Sequence, residues 1–257
     1  MPIKAKLKQL WQNADGIVIL AGAGMSVDSG LPDFRGSTGL WTKAKEDFIT
    51  HATAKGFDNN PLVAWNFYIS RILQYGTVQP HRGYTDLLTA LQQHKKDYFV
   101  VTSNVDTHFQ KAGYDPLKIS EIHGSLSHVQ CVKACCRDLY PMPQFTAELV
   151  SVDDAPKCPK CGNLLRPNVM MFSDPYLIWT NIDKSAERYA HWSTPKFNLV
   201  GIELGAGLAI PSIRMFGEER TASLIRINPH ESETNRAQDV GIAATALDGL
   251  DFLLSSI

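Results

Sequence analysis

A short run of apolar residues that leads into a glycine-rich segment constrains the fold of this chain most strongly. Residues 17–20 are Ile-Val-Ile-Leu, and Gly22-Ala23-Gly24 begins two residues later. A wholly apolar run of this length is typical of a strand buried on both faces, as in a parallel sheet. Glycine lets main-chain N–H groups approach a phosphate without obstruction from a Cβ. The segment therefore predicts either a phosphate-binding loop after a strand or a tight strand–helix turn.

The same apolar character recurs along the chain with helical stretches between the runs. Further strands are predicted at residues 98–102, 119–122, 197–204 and 224–227. Helices are predicted at residues 86–93 and 106–112, and the helical spacing of Leu7, Leu10, Trp11 and Ala14 predicts an amphipathic helix at the start. Strands that alternate with helices favour an α/β fold with a doubly wound, Rossmann-like parallel sheet.

Two segments interrupt this alternation and predict a second, smaller lobe. Residues 41–76 have mainly helical character, with a helix expected after Asn60-Pro61. Residues 124–172 contain every cysteine and several prolines. We therefore expect a large lobe of residues 1–40, 77–123 and 173–257, and a small lobe of residues 41–76 and 124–172. A ligand would bind at the carboxyl ends of the parallel strands.

Composition narrows the class of partner. The formal net charge is −1, so no bulk field steers the protein toward nucleic acid or an anionic membrane. No run approaches the roughly 18 apolar residues of a membrane span. The five cysteines all fall between Cys131 and Cys161, which favours one metal site over a disulfide scaffold. We expect a cytoplasmic protein without direct membrane or nucleic-acid partners.

The cysteine pattern predicts a structural zinc site. Cys158 and Cys161 form a C-x2-C pair, and Cys131 is followed by Cys135 and Cys136. Four thiolates around zinc make a closed tetrahedral site with no open position for a substrate. We expect Cys131, Cys135, Cys158 and Cys161 as ligands, and Cys136 is the alternative to Cys135.

Several motifs in fixed order resemble one known family. They are GAGMSVDSGLPDFRGSTGLW from Gly22 to Trp41, Thr102-Ser103-Asn104-Val105-Asp106, Ile122-His123-Gly124-Ser125, Cys158-Pro159-Lys160-Cys161-Gly162, and Ile227-Asn228. Together they resemble the sirtuins, the NAD-dependent protein deacylases, over nearly the whole chain. Val27 stands where a dehydrogenase fingerprint has its third glycine, which argues against hydride transfer.

The resemblance implies roles for particular residues. His123 would be the catalytic base that deprotonates a ribose hydroxyl of NAD, and Asn104 would act beside the nicotinamide. Asp33, Phe34 and Arg35 would form a flap over the cofactor, and Asn228 would meet the adenosine ribose. The full set expected at NAD is Gly22, Ala23, Gly24, Ser26, Asp33, Phe34, Arg35, Trp41, Ser103, Asn104, Asp106, Gly205, Gly207 and Asn228. NAD would be consumed as a co-substrate, while zinc would be structural.

Tyr68 and Arg71 are three residues apart in the predicted helical insertion, so they share a helix face. Sirtuins that remove acidic acyl groups carry a similar Tyr-x-x-Arg pair, because a guanidinium pairs well with a carboxylate. The alternative interpretation is an ordinary surface arginine packed on the tyrosine. The partner implied is an acylated protein or peptide.

The chain also departs from the usual sirtuin pattern. Ser103 replaces a glutamine, residues 171–174 read Met-Phe-Ser-Asp, and residues 203–207 read Glu-Leu-Gly-Ala-Gly in place of a Gly-Thr-Ser loop. The last string and the C-x3-C spacing resemble the macrodomain-linked bacterial sirtuins, which transfer ADP-ribose. That branch lacks the catalytic histidine and the Asp-Phe-Arg flap, whereas this chain keeps both, so deacylation is the leading hypothesis. Mono-ADP-ribosyl transfer, NAD hydrolysis and an NAD-sensing module are the alternatives.

Overall fold

The structure, a computed structural model, describes residues 2–32 and 53–257. Asp33, Phe34, Arg35 and Trp41 lie outside the described residues, so their expected place at the cofactor stays a prediction. In chain order the strands are β1 (Gly16–Ala21), β2 (Tyr98–Thr102), β3 (Ile119–Glu121), β4 (Gly124–Cys131), β5 (Tyr140–Pro141), β6 (Leu165–Val169), β7 (Leu199–Leu204), β8 (Ser223–Ile227) and β9 (Val240–Ile242).

The described α-helices are, in chain order, α1 (Ile3–Asn13), α2 (Ala54–Asn59), α3 (Pro61–Thr77), α4 (Arg82–Gln93), α5 (His108–Lys111), α6 (Thr180–Ser193), α7 (Ser212–Arg220) and α8 (Ala246–Leu254). A 3₁₀ helix, Ala23–Ser29, follows β1. The longest of these helices, α3, has 17 residues. No helix in the described ranges combines the length and the apolarity that crossing a bilayer requires.

The large sheet confirms the doubly wound α/β prediction. Its six strands are all parallel and lie in the order β3-β2-β1-β7-β8-β9. Every residue of β1 is buried, because helices cover both faces. Leu7 and Leu250 pack on one face in a cluster with β1, and Ile213 and Tyr189 pack on the other. Chain order reverses between β1 and β7, which is where a ligand crevice forms in such sheets.

The predicted elements differ from the observed ones mainly at their ends. The strand expected at residues 197–204 begins at Leu199, because Phe197 is 92% exposed and its N–H donates to the Asp15 carboxylate. The helix expected at residues 106–112 covers only His108–Lys111, since Thr107 has a left-handed φ of 62°. β9 was not predicted, because the exposed Gly241 at its centre interrupts the apolar run.

A second sheet lies within the segment predicted to be an insertion. It is antiparallel, with the order β5-β4-β6, and β4 pairs with both neighbours. Trp65 of α3 is fully buried beside it and donates its indole N–H to the main-chain oxygen of Leu165. The apolar side chains here form a cluster separate from the two of the large sheet. The lobe boundaries themselves stay a prediction.

Candidate active site

Two glycine-containing loops meet at the carboxyl ends of β1 and β7. The N–H of Gly22 donates to Leu204 and that of Gly24 donates to Gly205, both at 3.0 Å. A Cβ on Gly24 would lie 2.7 Å from the Cα of Gly205, whose own φ is +59°. These glycines are therefore required by contact between the two loops. The N–H groups of Gly22 and Gly24 donate to main-chain carbonyls and do not face an open site. The sequence alone did not predict these two hydrogen bonds.

A polar cluster of Ser26, Asn104 and Asp106 adjoins the loop that contains Gly22. The Ser26 hydroxyl donates to Oδ2 of Asp106 at 2.6 Å, and the Asn104 amide donates to the main-chain oxygen of Gly22 at 3.0 Å. The same amide nitrogen lies 3.4 Å from Oγ of Ser26. Ser26 of one motif is thus within hydrogen-bond distance of both Asn104 and Asp106 of another. Asp106 also accepts the N–H of His108 with Oδ1, so it caps α5 as well as binding Ser26.

Two side chains that support this cluster were not found from the sequence. Tyr84 on α4 is fully buried, and its hydroxyl lies 3.0 Å from Oγ of Ser26. The Nε2 atom of His81 lies 2.9 Å from the main-chain oxygen of Met25. Both occur in a stretch whose pattern indicates an ordinary amphipathic helix, which carries no signal for contact with a loop about 55 residues earlier.

His123 lies just beyond the carboxyl end of β3 and is half-buried. Burial lowers the pKa of its imidazole below the usual 6.5, so the ring is neutral at pH 7 and able to accept a proton. The main chain is held on both sides. The His123 carbonyl accepts the N–H of Met170, and Gly124 has a φ of +77° with no room for a Cβ beside Asn168.

Asn228 organises the far side of the crevice. Its side-chain nitrogen donates to the Ala206 carbonyl at 3.1 Å, and its side-chain oxygen accepts the N–H groups of His230 and Glu231. Arg214 donates to the same Ala206 carbonyl at 2.9 Å. The loop that contains Gly205 and Gly207 is therefore held by side chains from α7 and from the segment after β8.

The cysteines predicted to bind zinc come together. The Sγ atoms of Cys131, Cys135, Cys158 and Cys161 all lie within 4.8 Å of one another. The Cys131–Cys161 and Cys135–Cys158 sulfur distances are both 3.6 Å. Four sulfurs bound tetrahedrally to zinc at about 2.3 Å lie about 3.8 Å apart, so the cluster fits the ion. Cys136 is outside this group, with its sulfur 3.9 Å from the Tyr140 hydroxyl.

Comparisons with known proteins decide the family. The model of the Sir2 family matches residues 22–194. The chain belongs to the Sir2 family. It is 33% identical to an NAD-dependent protein deacylase of Aquifex aeolicus, over 91% of this chain and 92% of the relative. It is 29% identical to an NAD-dependent protein deacetylase of Caldivirga maquilingensis, over 93% and 88% of the two chains. A crystal structure of a Sir2 homologue in complex with NAD has a TM-score of 0.73 and 25% identity, with 99% of this chain and 93% of that chain covered.

Within this Sir2 fold, Glu203, the first of the altered residues 203–207, has a structural explanation. Glu203 is fully buried and accepts two hydrogen bonds from Arg226, at 2.6 and 3.0 Å. Arg226 also pairs with Glu218 of α7 at 2.8 Å. A buried carboxylate costs several kcal/mol of desolvation unless it is paired. Glu203 and Arg226 thus form a buried ion pair between the neighbouring strands β7 and β8.

The altered residue Asp174 is likewise part of an ion pair. Both of its oxygens accept from Nη2 of Arg166, at 2.9 and 2.7 Å, and both side chains are nearly fully buried. Phe172, two residues earlier, forms an isolated parallel bridge with Thr53. The segment of residues 171–174 is therefore anchored to Arg166 of β6 by a buried charge pair.

Tyr68 and Arg71 lie near each other on α3 but have separate contacts. Tyr68 is buried and stacks on Phe57, with ring centroids 5.9 Å apart, and burial raises the pKa of its hydroxyl well above 10. The Arg71 guanidinium lies 3.4 Å from the centroid of the Phe67 ring. Burial lowers the pKa of Arg71. The guanidinium lies over Phe67, whereas the alternative interpretation named the tyrosine, and the acyl-binding role stays a prediction.

Proposed function

We propose that this chain is an NAD-dependent protein-lysine deacylase. It would consume NAD and an acyl-lysine side chain, and would release nicotinamide, O-acyl-ADP-ribose and free lysine. The relatives from Aquifex aeolicus and Caldivirga maquilingensis, named as deacylase and deacetylase, support this activity. The structural observation that carries it is the position of the half-buried His123 just beyond the carboxyl end of β3, since an NAD sensor needs no base.

His123 would act as the general base. A lowered pKa keeps its imidazole unprotonated at neutral pH, so it can take the proton from a ribose hydroxyl and make that oxygen the better nucleophile. The anchored main chain on both sides restricts where the ring can point. We expect activity to persist below pH 6.5 and to fall only when the imidazole is protonated.

Ser26, Asn104 and Asp106 would hold the nicotinamide end of NAD. They form one hydrogen-bonded cluster at the point where chain order in the sheet reverses. The loop with Gly205 and Gly207 and the anchored Asn228 would hold the adenosine end. Asp33, Phe34, Arg35 and Trp41 would complete the site as a flap. Orientation and exclusion of water by these groups favour acyl transfer over loss of the reactive ribose to water.

Zinc would be structural. Four cysteine thiolates leave no open coordination position, so the ion would supply stability to β4 and the C-x2-C turn and no reaction step. Cys131 ends β4, which connects the site directly to the residues that follow His123. The free thiols of the cluster are consistent with a reducing compartment, and we propose a cytoplasmic location.

We further propose that Tyr68 and Arg71 select acidic acyl groups. Arg71 is the cationic side chain of the pair, and release from its stacking on Phe67 would let it meet an acyl carboxylate. Replacement of Arg71 by Met should lower turnover of a succinylated peptide about 10- to 100-fold and leave an acetylated peptide within about 2-fold. The exposed Arg220 on α7 provides the matched control, as Arg220→Met. Equal losses on both peptides would contradict acyl selection.

One incubation tests the deacylase proposal. Purified protein is supplied with NAD and with acetylated, succinylated or lipoylated peptides, and the products are followed by mass spectrometry. O-acyl-ADP-ribose supports deacylation, an ADP-ribose adduct on protein supports ADP-ribosyl transfer, and free ADP-ribose alone supports hydrolysis. NAD that stays intact with every peptide contradicts all three reactions.

His123→Ala tests the assigned base. Deacylation should fall about 100-fold or more, because general bases contribute 10²- to 10⁴-fold, while NAD binding is largely retained. The exposed His191 of α6 supplies the matched control, since His191→Ala should keep full activity. Full turnover by His123→Ala would show that another group is the base.

A further inference from the structure

Tyr84 has a buried hydroxyl that contacts Ser26, a member of the polar cluster of Ser26, Asn104 and Asp106. The side chain is fully buried on α4, three residues after the helix N-cap at His81. Its ring packs against the rings of His81, His108 and Phe109, with centroids 4.9, 5.7 and 4.9 Å away. These contacts fix where the hydroxyl lies, and it is 3.0 Å from Oγ of Ser26.

The direction of that hydrogen bond follows from the valence of Ser26. A serine hydroxyl has one proton, and the 2.6 Å contact with the Asp106 carboxylate uses it. Tyr84 must therefore donate to Ser26. Burial and the nearby Asp106 charge raise the pKa of Tyr84 well above 10, so the donor stays protonated over the working pH range.

The contacts form a directed chain across three elements. Tyr84 of α4 donates to Ser26 of the 3₁₀ helix after β1, and Ser26 donates to Asp106 after β2. Asn104 supplies a second, longer donor to Ser26 at 3.4 Å. Hydrogen bonds in such a chain polarise one another and hold each member in one rotamer. Without the Tyr84 hydroxyl, the buried Ser26 oxygen loses its nearer donor and the Ser26–Asp106 contact loosens.

We propose that Tyr84 is a positioning residue for NAD, which acts by orienting Ser26 and, through it, Asp106. This inference rests on the proposed function, because Ser26 and Asp106 are there assigned to the nicotinamide end of NAD. Because Tyr84 is fully buried and its hydroxyl contacts Ser26, it would act on NAD only through that residue. Its contribution is to fix the geometry of Ser26 and Asp106.

Tyr84→Phe removes the hydroxyl and keeps the ring contacts. We expect the KM for NAD to rise about 5- to 10-fold, with the KM for the acetylated peptide unchanged. A purely structural role would lower the folded fraction, which reduces kcat and leaves both KM values alone. The split between the two substrates therefore separates positioning from stability.

A double-mutant cycle tests the route through Ser26. In a Ser26→Ala background, Tyr84→Phe should change the KM for NAD by less than about 2-fold, since the group it orients is gone. Tyr114→Phe is the matched control. Tyr114 is also buried, and its hydroxyl donates to the main-chain oxygen of Tyr84 at 2.9 Å without contacting Ser26. This control should lose stability and keep its KM for NAD.

Three results would overturn the proposal. They are a wild-type KM for NAD in Tyr84→Phe, a full effect of that change in the Ser26→Ala background, and an equal rise of KM in Tyr114→Phe. Failure of the proposed function is distinguishable, because the wild-type chain would then release no O-acyl-ADP-ribose with any acylated peptide. In that case the Kd of NAD from calorimetry replaces KM, and the same comparison among variants still decides the role of Tyr84.

Discussion

The large parallel sheet and the small antiparallel sheet are stabilised in different ways. β1, β2, β7 and β8 are buried along their full length between two layers of helices. In the small sheet, β5 has only two residues and β4 contains an irregularity between Ser125 and Val129. The small sheet is instead bordered by the four-cysteine cluster and the buried Arg166–Asp174 pair. Both regions have an apolar cluster and a buried ion pair, and the second adds four clustered cysteines that could hold a metal ion.

Cys161→Ser should have the largest effect on the difference in stability between the two sheets. Structural zinc contributes on the order of 10 kcal/mol in small metal-dependent modules, so loss of one thiolate should release zinc and locally unfold the small sheet. Hydrogen exchange at amides of β4 and β6 should become fast, while β1 and β7 stay protected. Cys136→Ser provides the control, since its sulfur lies outside the cluster. Equal loss of protection in both sheets would show that they unfold as one unit.

The buried ion pairs allow a finer comparison of the two regions. Asp174→Asn should destabilise the protein by about 3 kcal/mol, because it leaves the Arg166 charge buried beside a neutral partner. Glu203→Gln should cost less, about 1–2 kcal/mol, because Arg226 keeps its pair with Glu218. Urea denaturation at fixed pH measures both. A larger cost for Glu203→Gln would mean that Glu218 does not compensate.

Glu121 lies at the junction between the two sheets. It is the last residue of β3, and its side chain forms a hydrogen bond with Ser125 of β4. Burial raises the pKa of its carboxyl to about 7 from 4.5. The folded state thus holds a proton that the unfolded chain loses, so stability is full below about pH 4.5 and falls as pH rises to about 7. The loss is on the order of 1–3 kcal/mol.

Glu121→Gln should remove this part of the pH dependence. Relative to wild type, the variant should gain stability between pH 4.5 and 7.5, measured by denaturation at each pH. Glu187→Gln on the exposed surface of α6 is the matched control and should follow wild type. A constant difference between Glu121→Gln and wild type would show that the Glu121 carboxyl titrates alike in the folded and unfolded chains.

The sequence predicted those features that depend on local pattern. The apolar runs predicted five of the six parallel strands, because full burial leaves a readable signature at residues such as those of β2. Spacing also predicted the zinc cysteines and left Cys135 and Cys136 open. The structure groups Cys135 with the other three cysteines. Spacing alone cannot decide between Cys135 and Cys136, because the two residues are adjacent in the sequence.

Features that depend on long-range contact could not be predicted. The requirement for Gly24 arises from a loop about 180 residues further along, and Glu203 is explained only by its register opposite Arg226 on β8. Tyr84 carries no motif, since its hydroxyl matters only because α4 packs beneath the 3₁₀ helix. In each case the partner is set by the topology of the sheet and not by neighbours in the chain.

The pairing of β1 with β7 has a consequence for how the molecule is made. The register joins Gly16–Ala21 to Leu199–Leu204. In the sequence, residues 22–198 therefore separate the two strands that form the crevice. A chain emerging from the ribosome presents β1 and its glycine loop long before the strand that completes them exists. Contacts this distant in sequence form late and slowly. During synthesis, β1 is therefore paired with β2 alone until β7 has been translated, about 180 residues after β1.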